Sequence, residues 1–299
     1  MHIVFSCENT QYMWWQAELL HYTYKKTGMQ AELTALVSVS DEPARDFTCP
    51  SVTVANYEGW LGAGSFKPLN KPGGIAEWAL ADGPKQETVL IVDPDSAFVG
   101  IVQDPGPLKS GEAYSQEHDY MNVNLPASQT VLSRHCNRGA RELVQPIGIY
   151  VMVSKTDLAE LASRWLHKTI EIKNDPICRA ALPDDGWISD MWGYSIAAAE
   201  LGIRHRIINF SQVTGSNCIK YPIIHYCFPL VEHGEYWDPN RQQTFLWSKW
   251  DYNPWVVPQA CTAPTLEGRV LLENLAELAL TRNRMSNTTD AEEPRFHPS

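Results

Sequence analysis

Apolar and polar positions fall into short blocks along the first hundred residues. Ile3-Val4-Phe5-Ser6-Cys7 predicts a buried strand, broken by Glu8-Asn9-Thr10. Tyr12, Trp15, Leu19 and Tyr22 then recur at helical spacing as far as Lys26, with Thr10 placed to cap the helix and Gly28 to stop it. Leu33–Val39 and Ser51–Ala55 read as two further strands. Thr88–Val92 climbs without a charge or helical spacing, the pattern of a strand buried on both faces. Strand, helix, strand in that order opens a nucleotide-binding α/β unit.

Between these blocks the pattern changes. Residues 56–68 carry Gly59, Gly62, Gly64 and Pro68 and form a loop without the Gly-x-Gly-x-x-Gly order of dinucleotide sites. Asn70-Lys71-Pro72 starts a helix whose apolar face is Ile75, Trp78 and Ala79. Residues 103–142 are polar and broken by prolines, which predicts a long excursion over the ligand face. Gln145-Pro146-Ile147-Gly148 leads into a strand over Ile149–Val153. Thr156 or Asp157 is expected to cap the next helix, with Leu158, Leu161, Ala162 and Trp165 turned inward. The segment Asp184–Tyr194 feeds an alanine-rich helix ending near Gly202. From Tyr236 to Trp255 the chain is strongly aromatic, a core plug or a stacking platform. Leu271, Leu275, Leu278 and Ala279 mark a final helix, and a polar tail over 284–299 is expected to be disordered.

Three places carry candidate chemistry. Asp93 and Asp95 follow the buried run at the end of a strand, where ligands bind in open α/β sheets. In an extended chain they point the same way and offer two hard oxygen donors, suited to Mn²⁺ or Mg²⁺ and with it a phosphate. Asp-Pro-Asp-Ser is equally good turn chemistry. Asp190 falls at the start of the alanine-rich helix, where it serves the helix dipole or faces a reacting centre. His225 interrupts the apolar run Ile223–Tyr226, as a core histidine or as a third metal ligand. Lys71, beside a helix N-terminus, is a solvated lysine or one that meets a phosphate or a sugar.

Composition narrows the partners. The 299 residues are 44% hydrophobic and 20% charged, the values of a globular protein, and the formal charge of -11 argues against nucleic acid. An acidic chain still binds an anionic nucleotide if a metal carries the positive charge. Seven scattered cysteines without a Cys-x-x-Cys pair argue against a zinc or iron–sulfur site. No signal peptide or membrane-length apolar run is present, so a soluble, cytoplasmic chain is expected, or one of the Golgi or ER lumen if an N-terminal anchor has been removed.

Several landmarks together resemble a known family. They are Tyr24-Lys25-Lys26, Asn70-Lys71-Pro72 with Trp78, Asp93-Pro94-Asp95, Pro146-Ile147-Gly148 and Lys173-Asn174-Asp175-Pro176. Gly186–Tyr194, Ile224-His225-Tyr226 and the closing leucine helix complete the set. In this order, from about residue 2 to residue 283, they resemble the plant and algal peptidyl glycosyltransferases, chiefly the hydroxyproline O-arabinosyltransferases, and also the peptidyl serine α-galactosyltransferases. The resemblance implies one GT-A-like α/β domain over residues 1–283. A mixed, mostly parallel sheet is flanked by helices, with the nucleotide-sugar half over about 1–102 and the acceptor half over 103–283. It further implies a UDP-sugar donor, a peptide acceptor at hydroxyproline or serine, and transfer with retention, moving arabinofuranose or else galactose.

On that resemblance Asp93, Asp95 and His225 hold the metal, and Asp190 is the catalytic carboxylate. Ser6, Glu8, Tyr12, Asn70, Lys71, Asp93 and Trp187 line the nucleotide-sugar site. The sequence departs from the family pattern at Asp190, where glutamate is usual, and at Ser96, where the arabinosyltransferases tend to have histidine. The segment 103–142 and the stretch after 230 match poorly, which leaves donor and acceptor open. A small-molecule, lipid or glycan acceptor, or a binding module without catalysis, are the alternatives.

Overall fold

The computed structural model describes residues 1–61, 65–214, 218–232, 238, 241–250 and 257–289, with side chains as far as 282. The predicted opening is present: β1 (His2–Glu8), α1 (Gln11–Thr27), β2 (Glu32–Ser38) and β3 (Ser51–Val54). The side chain of Thr10 accepts the amide of Met13 at the start of α1. Gly28 ends the helix at φ 69°, a left-handed conformation that glycine adopts without a Cβ clash. After α2 (Asn70–Ala81) come β4 (Thr88–Val92) and β5 (Ser96–Phe98), then β6 (Glu112–Glu117), α3 (Pro126–His135), β7 (Ile147–Ser154) and α4 (Lys155–Asn174).

The central sheet has the order β3-β2-β1-β4-β7-β6-β8, where β8 is Arg204–Ile207. β7 runs antiparallel to β4 and β6, while the other neighbours are parallel. This is the expected α/β architecture with a mixed, mostly parallel sheet. Successive strands move outward from β1 toward β3, and β4 then returns to the other side of β1. The edge beyond β1 and β4 is therefore the point where strand order reverses, and a crevice opens there. The sheet's inner strands are apolar on both faces: Ile3, Val4 and Phe5 of β1 and Val89–Val92 of β4 are buried in one core.

Two expectations change. The segment 103–142 is not a plain loop, because β6 joins the central sheet and α3 packs on a second core with Val131 and Leu132. The buried face of β6 is small, Ala113 and Ser115, so alternation of large apolar residues does not mark it. Ser115 is tolerated there because its hydroxyl donates to Gly148 O at 3.0 Å. The helix α4 is capped by Ser154, which accepts the Thr156 amide at 3.3 Å, rather than by Thr156 or Asp157. Asp157 instead takes Ser110 and the Gly111 amide. β6, β7 and β8 share the sheet with β1–β4, so both halves expected from sequence contribute strands to it.

Beyond α4 lie α5 (Pro176–Ala181), the turn α6 (Pro183–Gly186) and α7 (Ser189–Glu200). A second sheet joins β5 to β9 (Ser211–Val213) and β10 (Ile223–His225), and β11 (Leu230–Val231) pairs with β12 (Phe245–Trp247). In the aromatic stretch Trp247 is buried edge-on to Trp15, while Trp250 is exposed. Tyr236, Trp237, Tyr252 and Trp255 lie outside the described residues. The final helix, α8 (Leu266–Thr289), buries Leu271, Leu275 and Leu278 and continues past residue 283. The rest of the expected tail, 290–299, lies outside the described residues. Among the described residues no helix is long and apolar enough to cross a membrane.

Two helix glycines, Gly73 and the landmark Gly193, are explained by packing. A Cβ on Gly73 would meet the Tyr57 ring at 2.3 Å, and one on Gly193 would meet Thr169 Oγ1 at 2.2 Å and Thr169 N at 2.9 Å. At Gly193 the obstacle includes backbone, so α7 and α4 approach more closely than any side chain permits. Gly193→Ala is expected to lose stability despite the gain of about 1 kcal/mol in helix propensity, since overpacking costs about 1–3 kcal/mol and occasionally more. Urea denaturation measures it; a variant as stable as the parent would contradict this packing.

Candidate active site

The site assembles at the reversal of strand order. β1 and β4 run parallel with Phe5 opposite Val92, so the end of β1, Ser6–Glu8, and the turn Asp93–Asp95 after β4 lie at the same edge. The chain turns back into β5, and the antiparallel pairing of β10 places His225 opposite Ser96. The Tyr226 amide donates to Asp95 O at 3.1 Å and locks that register. The pairing carries an imidazole from far along the chain to the acidic turn.

His225 Nε2 lies 3.2 Å from Asp95 Oδ1 and 4.0 Å from Asp93 Oδ2. One ligand atom from each of Asp93, Asp95 and His225 lies within 4.8 Å of the others. Two carboxylates and an imidazole at that separation fit Mn²⁺ or Mg²⁺, so the donor set agrees with the expected ligands.

Two lysines balance the carboxylates. Lys71, in the first turn of α2, reaches Asp93 Oδ1 at 2.7 Å and Asp190 Oδ2 at 3.4 Å. Lys249, from the segment after β12, pairs with Asp95 Oδ2. Burial opposes the charge of both lysines, but Asp93 and Asp190 raise the pKa of Lys71, and Asp95 that of Lys249. Burial alone would raise Asp95, yet Lys249 and His225 hold it well below the usual carboxylate range. Asp190 goes the other way: burial and Asp93 raise it, and Lys71 and the Met191 amide offset them in part.

Asp190 does stand in the first turn of α7, and Trp165 Nε1 donates to its backbone carbonyl. Lys71, Asp190, Met191 and Gly148 line one cleft together with Ile149 and Trp165. A Cβ on Gly148 would meet the His118 ring at 2.9 Å, so this landmark glycine keeps the cleft wall thin.

The other sequence-derived residues are placed variously. Glu8 at the end of β1 accepts from Lys67 Nζ at 3.0 Å and from Asn70 Nδ2 at 3.2 Å. Asn70 Oδ1 in turn takes the Tyr57 amide at 2.7 Å. These bonds latch β1 to the start of α2 and thereby aim Lys71. Ser6 is buried in β1, one step inside the edge. Tyr12, in the first turn of α1, is half-buried, and burial raises its phenol, with Lys249 and Asp95 as the nearby charges. Trp187 is 57% exposed and meets Phe66 edge-on at 6.1 Å, outside the acidic group.

Sequence reading missed Lys249, Tyr120, His118 and Tyr150. Lys249 sits among aromatic residues with nothing in its neighbours to mark it as a counter-ion. Tyr120 Oη donates to Met191 Sδ at 3.4 Å, and burial together with Asp93 and Asp190 raises its pKa. His118 tilts against it, 5.0 Å between centroids. Tyr150 stands edge-on to His225 and shares a hydrogen bond with Ser96, 2.7 Å long. The periodicity signal alone could have flagged Tyr150, as one more buried residue of β7.

Comparison with known proteins is consistent with this frame. The peptidyl serine alpha-galactosyltransferase of Arabidopsis thaliana is 29% identical over 219 residues, 69% of this chain and 27% of that protein. Hydroxyproline O-arabinosyltransferase 3 of the same plant is 25% identical over 213 residues, 68% of this chain and 57% of that protein. The chain thus spans about a quarter and somewhat more than half of these two relatives. Among solved structures, the galactosyltransferase LgtC, crystallised with donor and acceptor sugar analogues, superposes with a TM-score of 0.48 at 12% identity, over 94% of this chain and 96% of that one. The family model described as the hydroxyproline O-arabinosyltransferase family N-terminal domain matches residues 1–207, and the chain belongs to that family.

Proposed function

We propose that the chain is a GT-A-type, metal-dependent, retaining glycosyltransferase that moves a sugar from a UDP-sugar to a hydroxyl of a peptide, at hydroxyproline or serine. The observation that carries the reading is the meeting of Asp93, Asp95 and His225 at the strand-order reversal, with Lys71 spanning from Asp93 to Asp190. Family membership supplies the sugar-transfer class.

In this reading Asp93, Asp95 and His225 hold a divalent cation. Such an ion supplies Lewis-acid stabilisation for the negative charge of a departing diphosphate. Lys71 and Lys249 flank the carboxylates and add positive charge for the same phosphates. Ser6, Glu8, Tyr12 and Asn70 border the nucleoside side of the crevice, and Trp187 its outer rim. Asp190, buried on the cleft wall and paired with Lys71, faces the anomeric carbon and stabilises positive charge as it develops there, as carboxylates do in glycosidases. Arabinofuranose is the sugar in the family reading. Galactose passed to serine is the second reading, favoured by the 29% identity to a peptidyl serine alpha-galactosyltransferase.

A panel of UDP-sugars incubated with Mn²⁺, with UDP release as the readout, tests the donor without knowledge of the acceptor. Metal-dependent hydrolysis of one donor is expected; absence of both binding and hydrolysis across the panel would leave a non-catalytic binding module.

Asp95→Ala is expected to weaken Mn²⁺-dependent UDP binding by about 100-fold or more. Tight UDP binding indifferent to metal in the parent would contradict the metal's role. Asp190→Asn should bind UDP normally while kcat falls by about 10²–10³-fold, and normal turnover would remove Asp190 from the chemistry. Lys249→Ala should weaken UDP about 10-fold or more and leave uridine affinity unchanged; calorimetry with the two ligands separates a phosphate contact from a structural one.

A further inference from the structure

A second convergence of ligand-type side chains lies away from the acidic edge, between α3 and α5. His135 is the last residue of α3, Asp175 is the N-cap of α5, and Cys178 follows one turn later. Asp175 Oδ1 is committed to the helix, accepting the Ile177 amide at 2.9 Å. Its other oxygen, Oδ2, collects three donors: His135 Nε2 at 2.9 Å, Cys178 Sγ at 3.6 Å, and Arg134 Nε. One ligand atom from each of His135, Asp175 and Cys178 lies within 4.8 Å of the others.

We propose that His135, Asp175 and Cys178 form a structural zinc site that ties the end of α3 to the start of α5. The donor set is imidazole, carboxylate and thiolate, the nitrogen, oxygen and sulfur ligands that Zn²⁺ takes tetrahedrally, with water in the fourth position. The thiolate also separates this site from the Asp93, Asp95 and His225 group, whose second carboxylate is a harder donor that suits Mn²⁺ or Mg²⁺. Glu171 Oε2 stands 3.9 Å from His135 Nδ1, on the ring's far side, and Lys168 holds that carboxylate at 3.1 Å. A carboxylate behind a histidine is the usual outer partner of a zinc-bound imidazole, and a small movement of Glu171 would let it take an N–H on Nδ1 once Nε2 ligates.

The exchange balances. Cys178 would give its thiol proton to water as the zinc–sulfur bond forms, and His135 would give up the Nε2 proton that it donates to Asp175, keeping one proton on Nδ1. Arg134, whose side chain is 41% exposed, holds Oδ2 in this structure and would turn to solvent to admit the cation. The cation would anchor α5, and through it the short turn α6 that leads to α7 and Asp190.

The test uses the full chain, loaded with Zn²⁺, dialysed and measured by elemental analysis. One zinc per chain is expected to survive dialysis, to persist in Asp95→Ala, and to be lost in His135→Gln and in Cys178→Ser. Zinc lost from the parent on dialysis, or retained equally by both site variants, overturns the proposal. A variant that fails to fold leaves a second measurement on the parent protein. Co²⁺ in this site should give a thiolate-to-cobalt charge-transfer band, and a cobalt spectrum without that band means that the cluster is a hydrogen-bond network only.

Discussion

The crevice depends on gathering the carboxyl groups of Asp93, Asp95 and Asp190 in one place with Asp95 and Asp190 buried. Like charges this close suppress one another's ionisation, and loss of water adds to the cost. Lys71 supplies the compensation from a position that opposes it. A cation in the first turn of α2 meets the positive end of the helix dipole, and α2 has no acidic residue or side-chain cap there to relieve it. The relief comes from Asp93 and Asp190. A pair of unit charges about 4 Å apart gains about 4 kcal/mol at an effective dielectric of 20, well beyond the dipole's cost of about 1 kcal/mol. Removing Lys71 would thus strand two carboxylates at once, which ties the start of α2, the end of β4 and the start of α7 into one electrostatic unit.

That unit is only partly legible in the amino-acid sequence. β1, α1, β2, β3, β4 and β7 follow from runs and spacings of large apolar residues, because burial of those side chains determines where the chain is regular. Asp93 and Asp95 are legible as a pair at the end of a buried strand, although the same four residues read equally well as a turn. His225 is legible only as an apolar run interrupted by a histidine. Its meeting with Asp95 depends on the β5–β10 register, a pairing across more than a hundred residues that no local pattern encodes. Lys249 is further removed still, because its role comes from the fold's return path past Trp15 and Tyr226 and not from its own neighbours.

The strand β6 failed to announce itself for a different physical reason. Its inward residues are Ala113 and Ser115, and the space that larger side chains would fill is taken by the backbone carbonyls of Gly148 and Tyr150 bonded to Ser115. Small residues permit close approach and leave little hydrophobic signal. Gly73 and Gly193 follow the same rule in helices, where the sequence shows a poor helix former and the structure shows a neighbour pressed against the Cα. The helix frame around the crevice therefore rests on residues whose importance lies in what they lack.

The approach to Asp190 shows the same economy under strain. Asp184 and Asp185 stand at φ 47° and 52°, followed by Gly186 at φ 80°, three left-handed residues in succession. Aspartate is among the few residues besides glycine that enter this region, at a cost of about 1 kcal/mol or more each. Lys173 holds the turn by donating to Asp185 O and pairing with its carboxylate at 3.6 Å, with Arg179 at 3.8 Å. The reverse turn brings α7 in so that its first residues, not its middle, face Lys71. Asp190 is one methylene shorter than glutamate and has little reach to correct a misplaced backbone. A strained turn clamped by a lysine sets the backbone instead, and the landmark Lys173 belongs to the site through that turn rather than through any contact with the carboxylates.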